Sequence, residues 1–158
     1  MTEQYWFDER AATVAVAFFE KLLMHTKGEW AGQPFKLQEW QRDGIIRPLF
    51  GWKREDGTRR YRRAYIEIPR KNGKSTLSAG IALYLLFADD EPGAEVYSAA
   101  ADRAQARIVF DEAKRMVEAN QTLAKLSQSY KSSIVVPRSH SRYMVLSADA
   151  YTKHGLNA

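Results

Sequence analysis

Residues 66–86 read IEIPRKNGKSTLSAGIALYLL, and the predicted fold depends mainly on this segment. A β-branched run precedes PRKNGKS, and mostly apolar or small residues follow it. A helix N-terminus gathers unpaired N–H groups and the positive end of the helix dipole, so a loop between a strand and a helix suits phosphate. The Gly-Lys-Ser of residues 73–75 therefore predicts a phosphate-binding loop, although Ile68 stands where G-x-x-x-x-G-K-S/T has its first glycine.

The side chains of this loop predict a nucleotide site with ATP and Mg²⁺ as cofactors. Gly73 would let the backbone approach the β-phosphate, and Lys74 would reach the β- and γ-phosphates. The Ser75 hydroxyl would hold Mg²⁺, with Thr76 as a second hydroxyl nearby. An ordinary turn at the end of a strand is the alternative that the residues leave open. The predicted nucleotide-contacting loop comprises Pro69, Arg70, Lys71, Asn72, Gly73, Lys74, Ser75 and Thr76.

Hydrophobic periodicity, caps and turn residues predict alternating helices and strands along the rest of the chain. Helices are expected at 8–26, ended by Gly28, at 35–47 before Pro48, at 75–87 and at 102–119; strands are expected at about 61–68, 94–100, 133–136 and 143–147. This alternation predicts an α/β fold with a mainly parallel sheet flanked by helices. Residues 1–50 would form a small helical N-terminal cap, and residues 51–158 a partial core.

Composition and charge limit the class of protein. The chain has 158 residues, of which 45% are hydrophobic, enough for one domain with a buried core. It has no cysteine, no signal-peptide pattern and no apolar run long enough to span a bilayer, so we expect a soluble cytoplasmic protein. Eight basic and three acidic residues between Lys53 and Lys71 account for the whole net charge of +5. This segment suits polyanions, or is a solvated surface hairpin turning at Asp56-Gly57.

Three segments together resemble one known family. The segments are FKLQEWQ, PRKNGKS and VYSAAADRAQARIVFDEA, in this order along the chain. Together they are similar to the N-terminal ATPase region of the large terminase subunit of tailed bacteriophages. In that family the large subunit is the motor that packages DNA into a procapsid. The resemblance covers residues 35–158 and implies a P-loop NTPase fold. That family's variant phosphate loop has a basic residue in place of early glycines, which accounts for Ile68.

The resemblance also implies roles for individual residues. Lys74 and Ser75 match the family's phosphate-binding lysine and Mg²⁺ hydroxyl, and Arg70 matches a loop arginine that senses or stabilises the γ-phosphate. Gln41 resembles an adenine-reading glutamine, whose carboxamide offers one donor and one acceptor; an exposed helix residue is the alternative. Implied partners are double-stranded DNA, the small terminase subunit, the portal protein and further copies of the chain in a ring, without a membrane. The site of action would be the host cytoplasm.

The family's acidic catalytic strand and nuclease domain have no counterpart in the sequence. We therefore expect a fragment with an incomplete sheet at its C-terminus and little or no hydrolysis of its own. Arg103, Arg138 and Arg142 are candidates for an arginine acting in a neighbouring subunit, and nothing in the sequence selects one. A non-catalytic DNA- or partner-binding module from a prophage remnant is the alternative function, and a helicase is a third.

Overall fold

The computed structural model describes residues 2–69, 73–89, 91–100 and 102–147 of the chain. Helices and strands alternate along these ranges. The helices are α1 (Glu9–Ala17), α2 (Glu39–Gln41), α3 (Arg47–Gly51), α4 (Lys74–Phe87), α5 (Arg103–Ala119) and α6 (Gln121–Leu126), and the strands are β1 (Tyr5–Phe7), β2 (Trp52–Arg54), β3 (Glu95–Ala100), β4 (Gln128–Ser129), β5 (Ser133–Val136) and β6 (Ser141–Ser147). Within the described ranges, no helix is both long and apolar enough to cross a membrane.

The first helix begins where the sequence predicts and ends earlier. The Asp8 side chain accepts a hydrogen bond from the Ala11 N–H at 3.0 Å, which caps α1. A π-helical turn over Phe18–Leu22 extends the helix, and Leu23 is already in an extended conformation. The predicted end at 26, set by Gly28, is therefore wrong. The helix ends earlier because the next residue, Met24, pairs with Pro34 in an antiparallel bridge, which requires extended backbone.

The second predicted helix is displaced towards the C-terminus. Residues 35–38 are not helical, and a helical stretch runs from α2 through a π-helical turn at Arg42–Ile46 into α3. Pro48 lies in the first turn of α3, so the expectation that it ends the helix is wrong. The π-helical turn ends just before Pro48, and its i→i−5 hydrogen bonds replace the i→i−4 pattern that a proline would interrupt.

The central sheet is mixed rather than mainly parallel over the described residues. Its strand order is β3-β6-β5-β4, with β3 parallel to β6 and the other two pairs antiparallel. Short connections cannot carry a parallel crossover, so β4, β5 and β6, joined by a few residues each, must pair antiparallel. The predicted strands 94–100, 133–136 and 143–147 correspond to β3, β5 and β6.

The strand predicted at 61–68 is absent from the sheet. These residues carry no strand assignment, although Ile66 and Ile68 are half-buried. A β-branched run becomes a strand only when a neighbour completes the hydrogen-bonded ladder, and no described segment pairs with it. The turn at Asp56-Gly57 is confirmed: Gly57 has φ +85° and its N–H donates to the Arg54 carbonyl at 2.9 Å.

One hydrophobic cluster joins the N-terminal helices to the sheet. Phe18 and Phe50 contact the Tyr84 ring of α4 with centroid distances of 5.6 and 4.4 Å. On the far side of the cluster Phe110 of α5 packs edge-on against Tyr143 of β6 at 5.2 Å. Helix α4 thus contacts the N-terminal helices through Tyr84 near its C-terminal end, and Leu77 near its start belongs to the same cluster.

Candidate nucleotide-binding site

The start of α4 has a left-handed glycine and no side-chain cap. Gly73 adopts a left-handed conformation with φ +76°, which favours glycine, and α4 begins at the next residue. The Gly73 carbonyl accepts the Leu77 N–H at 2.9 Å, and no side chain caps the helix. The N–H groups of the first turn therefore have no intrahelical partner and are suited to an anion.

Lys74 and Ser75 face a groove between α4, β3 and α5. This sheet-side cavity has a volume of about 760 Å³. Lys74 is exposed and Ser75 half-buried. The other lining residues are small, polar or aliphatic, with one aromatic ring among them: Ser78, Ile81, Ala82, Leu85, Val96, Tyr97, Ser98, Ala99, Ala100, Gln105, Ala106, Ile108 and Val109. A flexible ammonium and a hydroxyl at the mouth of such a groove can contact phosphate oxygens and a divalent cation.

Gly73 and Thr76 border a second cavity on the other side of the same helix start. This aromatic cavity has a volume of about 560 Å³ and is lined by His25, Trp30, Gln33, Pro34, Phe35, Lys36, Gln38, Gln41, Gly73 and Thr76. Gln41, predicted as a base-reading residue, is thus brought to the loop from 32 positions upstream. The predicted loop and the predicted glutamine share one cavity.

Gln41 is a buried residue, so the alternative of an exposed helix side chain is wrong. Its exposed fraction is 5%, and its Oε1 accepts the Gln38 N–H at 2.9 Å. This capping contact holds the carboxamide at the start of α2. The Gln41 Nε2 lies 4.0 Å from where a Cβ on Gly73 would stand, so the side chain reaches the loop itself.

Three predicted loop residues, Arg70, Lys71 and Asn72, lie outside the described residues. Pro69, at the near edge of that gap, is exposed. The described part of the predicted site is therefore Gln41, Pro69, Gly73, Lys74, Ser75 and Thr76. Among the residues that the structure describes, no group of three His, Asp or Glu side chains is placed to hold a metal ion.

The arginine-rich segment has fewer free charges than its sequence suggests. Arg54 pairs with Glu3, and Arg59 donates to the Asp89 carboxylate at 2.6 Å. The Arg60 guanidinium lies 4.1 Å from the Tyr5 ring centroid. Arg62 and Arg63 are exposed. Much of this charge holds β2 and its hairpin in place, and Arg62 and Arg63 are the side chains most open to a polyanion.

A polar contact links the aromatic cavity to α5. The buried Glu112 carboxylate accepts from the Thr26 hydroxyl at 2.8 Å and from Arg115 at 2.7 Å. The neighbouring His25 ring packs on Phe35 with a centroid distance of 4.8 Å. Partial burial lowers the pKa of His25, an effect that the nearby Glu112 charge opposes. The wall of the cavity therefore carries a histidine that favours its neutral form.

We expect His25 to make folding stability depend on pH. The pKa of His25 is lower in the folded state than in the unfolded state, where it is about 6.5. The contribution of His25 to the free energy of unfolding is therefore complete above about pH 6.5 and is lost as the pH falls below that value. Thermal unfolding measured from pH 7.5 to 5.0 should show a smaller decrease of Tm for His25→Gln than for the wild type. Equal decreases in the two proteins would contradict this assignment.

Sequence reasoning missed Trp30, His25 and Phe35 as site residues. They lie in or beside TKGEWAGQP, which reads as a linker. Trp30 ends a 3₁₀ turn at Gly28–Trp30 and is 56% exposed. A tryptophan within an otherwise polar loop was the available signal, because a large apolar side chain in such a loop is placed at the surface, where apolar residues often mark binding sites.

Comparisons with known proteins agree on one family. The family model described as "Terminase large subunit, ATPase domain" matches residues 39–158. The large terminase subunit of Enterobacteria phage HK97 is 36% identical over 146 residues, which are 90% of this chain and 28% of that protein. The crystal structure of the HK97 large terminase matches with a TM-score of 0.75 and 32% identity, over 92% of this chain and 29% of that one. The chain spans under a third of the length of these relatives. It belongs to the terminase large-subunit ATPase-domain family.

Proposed function

We propose that this chain is the nucleotide-binding part of a phage DNA-packaging motor, in which ATP hydrolysis drives double-stranded DNA into a procapsid. The observation that supports it most is the left-handed Gly73 followed by the uncapped first turn of α4, with Gln41 on one side and Lys74 on the other. The family supplies the reaction class, since its matching domain is named an ATPase. Residues 1–50 would act as the cap and residues 51–158 as part of the core.

The proposal assigns tasks to the first turn of α4, to Lys74 and Ser75 and, outside the described residues, to Arg70. The first-turn N–H groups of α4 and the Lys74 ammonium would donate to the β- and γ-phosphates, and Ser75 would contribute a hydroxyl to Mg²⁺. Mg²⁺ keeps most of its ligands as water and phosphate oxygens, so one protein hydroxyl is compatible with the small donor set here. Bound Mg²⁺ would supply charge stabilisation for phosphoryl transfer. Arg70 would provide a guanidinium for the γ-phosphate.

The activity of the whole motor reaches beyond these residues. The chain covers 28% of the HK97 large subunit that it resembles. Translocation of DNA, contacts with the small terminase subunit and the portal protein, ring assembly and action in the host cytoplasm are therefore proposals for the complete large subunit. Nucleotide binding is the part of the proposal that this chain can test directly.

Calorimetry with ATP and Mg²⁺ tests the proposed site. Wild-type chain should bind, and binding should require the phosphate-contacting residues of α4. Absence of ATP binding by a folded wild-type chain would contradict the proposal. Salt-sensitive DNA binding with no response to nucleotide would instead favour a non-catalytic DNA-binding module.

The exposed arginines after β2 give a separate prediction for DNA. Each phosphate contact contributes about 0.9 to the slope of log binding constant against log salt concentration. We expect the Arg62→Ala/Arg63→Ala double variant to reduce that slope by about 2 for duplex DNA. The matched control is Arg10→Ala/Lys21→Ala, which removes two exposed charges from the first helical region and should leave the slope unchanged. Equal slopes in the wild type and the Arg62/Arg63 variant would exclude these residues from the DNA interface.

A further inference from the structure

We propose that Glu112 of α5 is a positioning residue of the nucleotide site. It holds Thr26 and thereby fixes the loop 25–34, which forms one wall of the aromatic cavity beside the start of α4. The inference rests on the proposed function, with the phosphates at the first turn of α4 and the base on the side of Gln41. Glu112 lines neither cavity, so its effect on ATP would pass through the loop.

The Glu112 carboxylate is the only buried charged group among the residues that the structure describes, and its exposed fraction is 4%. Its two oxygens have different partners: Oε1 accepts from the Thr26 hydroxyl at 2.8 Å, and Oε2 accepts from Arg115 Nη2 at 2.7 Å. Arg115 Nε also donates to the Thr26 hydroxyl at 3.4 Å. Burial of a carboxylate costs free energy that pairing barely offsets, whereas its directed hydrogen bonds fix where its partners lie. The contact therefore specifies a position more than it adds stability.

The loop held by Glu112 is closed by its own backbone. Thr26 directly follows His25, whose N–H donates to the Gln33 carbonyl at 2.9 Å and whose carbonyl accepts the Gly32 N–H at 2.8 Å. These bonds join the two arms of the loop, so the arms are displaced together or not at all. His25 and Gln33 both line the aromatic cavity. Fixing Thr26 therefore fixes that wall of the cavity.

The end of α5 also holds the chain that enters this loop. Asn120, the residue after α5, donates from Nδ2 to the Leu22 carbonyl at 3.0 Å. Its Oδ1 accepts the Leu123 N–H at 2.9 Å, so the carboxamide is fixed at both ends. The loop is thus attached to α5 by side chains at two levels, Glu112 and Asn120.

The same helix borders the phosphate side of the site. Gln105 and Val109, in the N-terminal half of α5, line the sheet-side cavity together with Lys74 and Ser75. Glu112 lies three residues beyond Val109, about one helical turn. Because a packed helix is stiff, the loop and the phosphate side are positioned against one common support. Glu112 thus sets the wall of the aromatic cavity relative to the first turn of α4.

The test measures binding of ATP and of inorganic tripolyphosphate, each with Mg²⁺, by calorimetry. Thr26→Val keeps the shape of the side chain and removes the hydroxyl. A loop that is correctly placed for only part of the time lowers the apparent affinity in proportion. We expect Thr26→Val to bind ATP about three- to tenfold more weakly than the wild type, as for the loss of one hydrogen bond, and Thr26→Ser to recover most of the loss. Tripolyphosphate has no base, so its affinity should be the same in all three proteins.

Variants of Glu112 test whether it acts through Thr26. Glu112→Gln keeps an oxygen that can accept from Thr26 and loses the charge facing Arg115, so it should weaken ATP binding less than Glu112→Ala. Adding Thr26→Val to Glu112→Ala should cause no further loss, because the contact is already absent. Ser132→Ala is the matched control: it removes one hydrogen bond to α5, from Arg107 at 3.0 Å, and lines neither cavity. It should bind ATP as the wild type does.

Equal ATP affinity for wild type and Thr26→Val would overturn the inference while leaving the phosphate site in place. Equal losses of ATP and tripolyphosphate affinity would show that the contact supports the fold alone and would also overturn it, as would additive losses in the double variant. If circular dichroism shows that Glu112→Ala does not fold, Thr26→Val and Thr26→Ser decide the outcome. Failure of the proposed function is recognised separately: a folded wild-type chain would bind neither ligand, or Lys74→Ala would leave both affinities unchanged.

Discussion

Lys74→Ala is expected to weaken Mg-ATP binding to this chain by about 100-fold and to abolish ATP-dependent packaging in a large subunit that contains these residues. Hydrogen bonds from a charged donor contribute about 1.5–3 kcal/mol each, and the Lys74 ammonium can serve two phosphates at once. The residue is exposed at the first position of α4, so its truncation removes a ligand contact without leaving a hole in the core. Calorimetry on the chain and a packaging assay on the complete subunit measure the two effects.

Lys125→Ala is a suitable control for Lys74→Ala. Lys125 is also exposed and helical, in the last turn of α6, and it lines neither cavity beside α4. Its removal changes the net charge by the same amount and should leave ATP affinity unaltered. A Lys74→Ala chain that binds ATP as tightly as this control would show that the first turn of α4 is no phosphate site.

Gly80→Val is expected to cost about 2–4 kcal/mol of folding free energy, because it forces side-chain atoms into a filled space. A Cβ built on Gly80 would have atoms of the Phe19 ring within 3.0 Å, and Phe19 is fully buried between α4 and Phe35. The ring has no exposed side towards which to turn. For a chain of this size the loss corresponds to a decrease in Tm of roughly 5–15 °C, measurable by calorimetry or circular dichroism.

Two further variants identify the cause of that loss. Gly44→Ala is the control, because Gly44 is exposed in the Arg42–Ile46 turn with nothing within 4 Å of a built Cβ, and its Tm should be unchanged or slightly higher. Phe19→Leu should make Gly80→Val less costly than in the wild-type background, since the smaller side chain leaves room. Additive losses in the double variant would show that the two residues do not share this contact.

Features of the fold that depend on residues close together in the sequence could be predicted from the sequence. Asp102 caps α5 by accepting the Ala104 N–H at 2.9 Å, and Gly73 begins α4 because glycine alone adopts its left-handed backbone without strain. Strand β5 has the predicted bounds, 133–136. In each case the determining residues lie within one or two turns of the element, where a linear pattern can express them.

The errors concern contacts between distant parts of the chain. The run at 61–68 has the residues of a strand, but ladder pairing depends on a neighbour elsewhere. The sheet is mixed because short connections bring β4, β5 and β6 together as antiparallel neighbours. Helix ends were shifted by π-helical turns, which local propensity does not reveal.

From the sequence alone one could predict a phosphate site, because a glycine, a lysine and a serine stand at the start of an apolar helix. Which groups face one another across that helix start depends on tertiary packing. It placed Gln41 beside Gly73 with its oxygen already bound, and it brought Trp30, His25 and Phe35 to the same cavity. The physical reason is that a backbone conformation is set by adjacent residues, whereas a cavity is formed by packing among residues far apart in the chain.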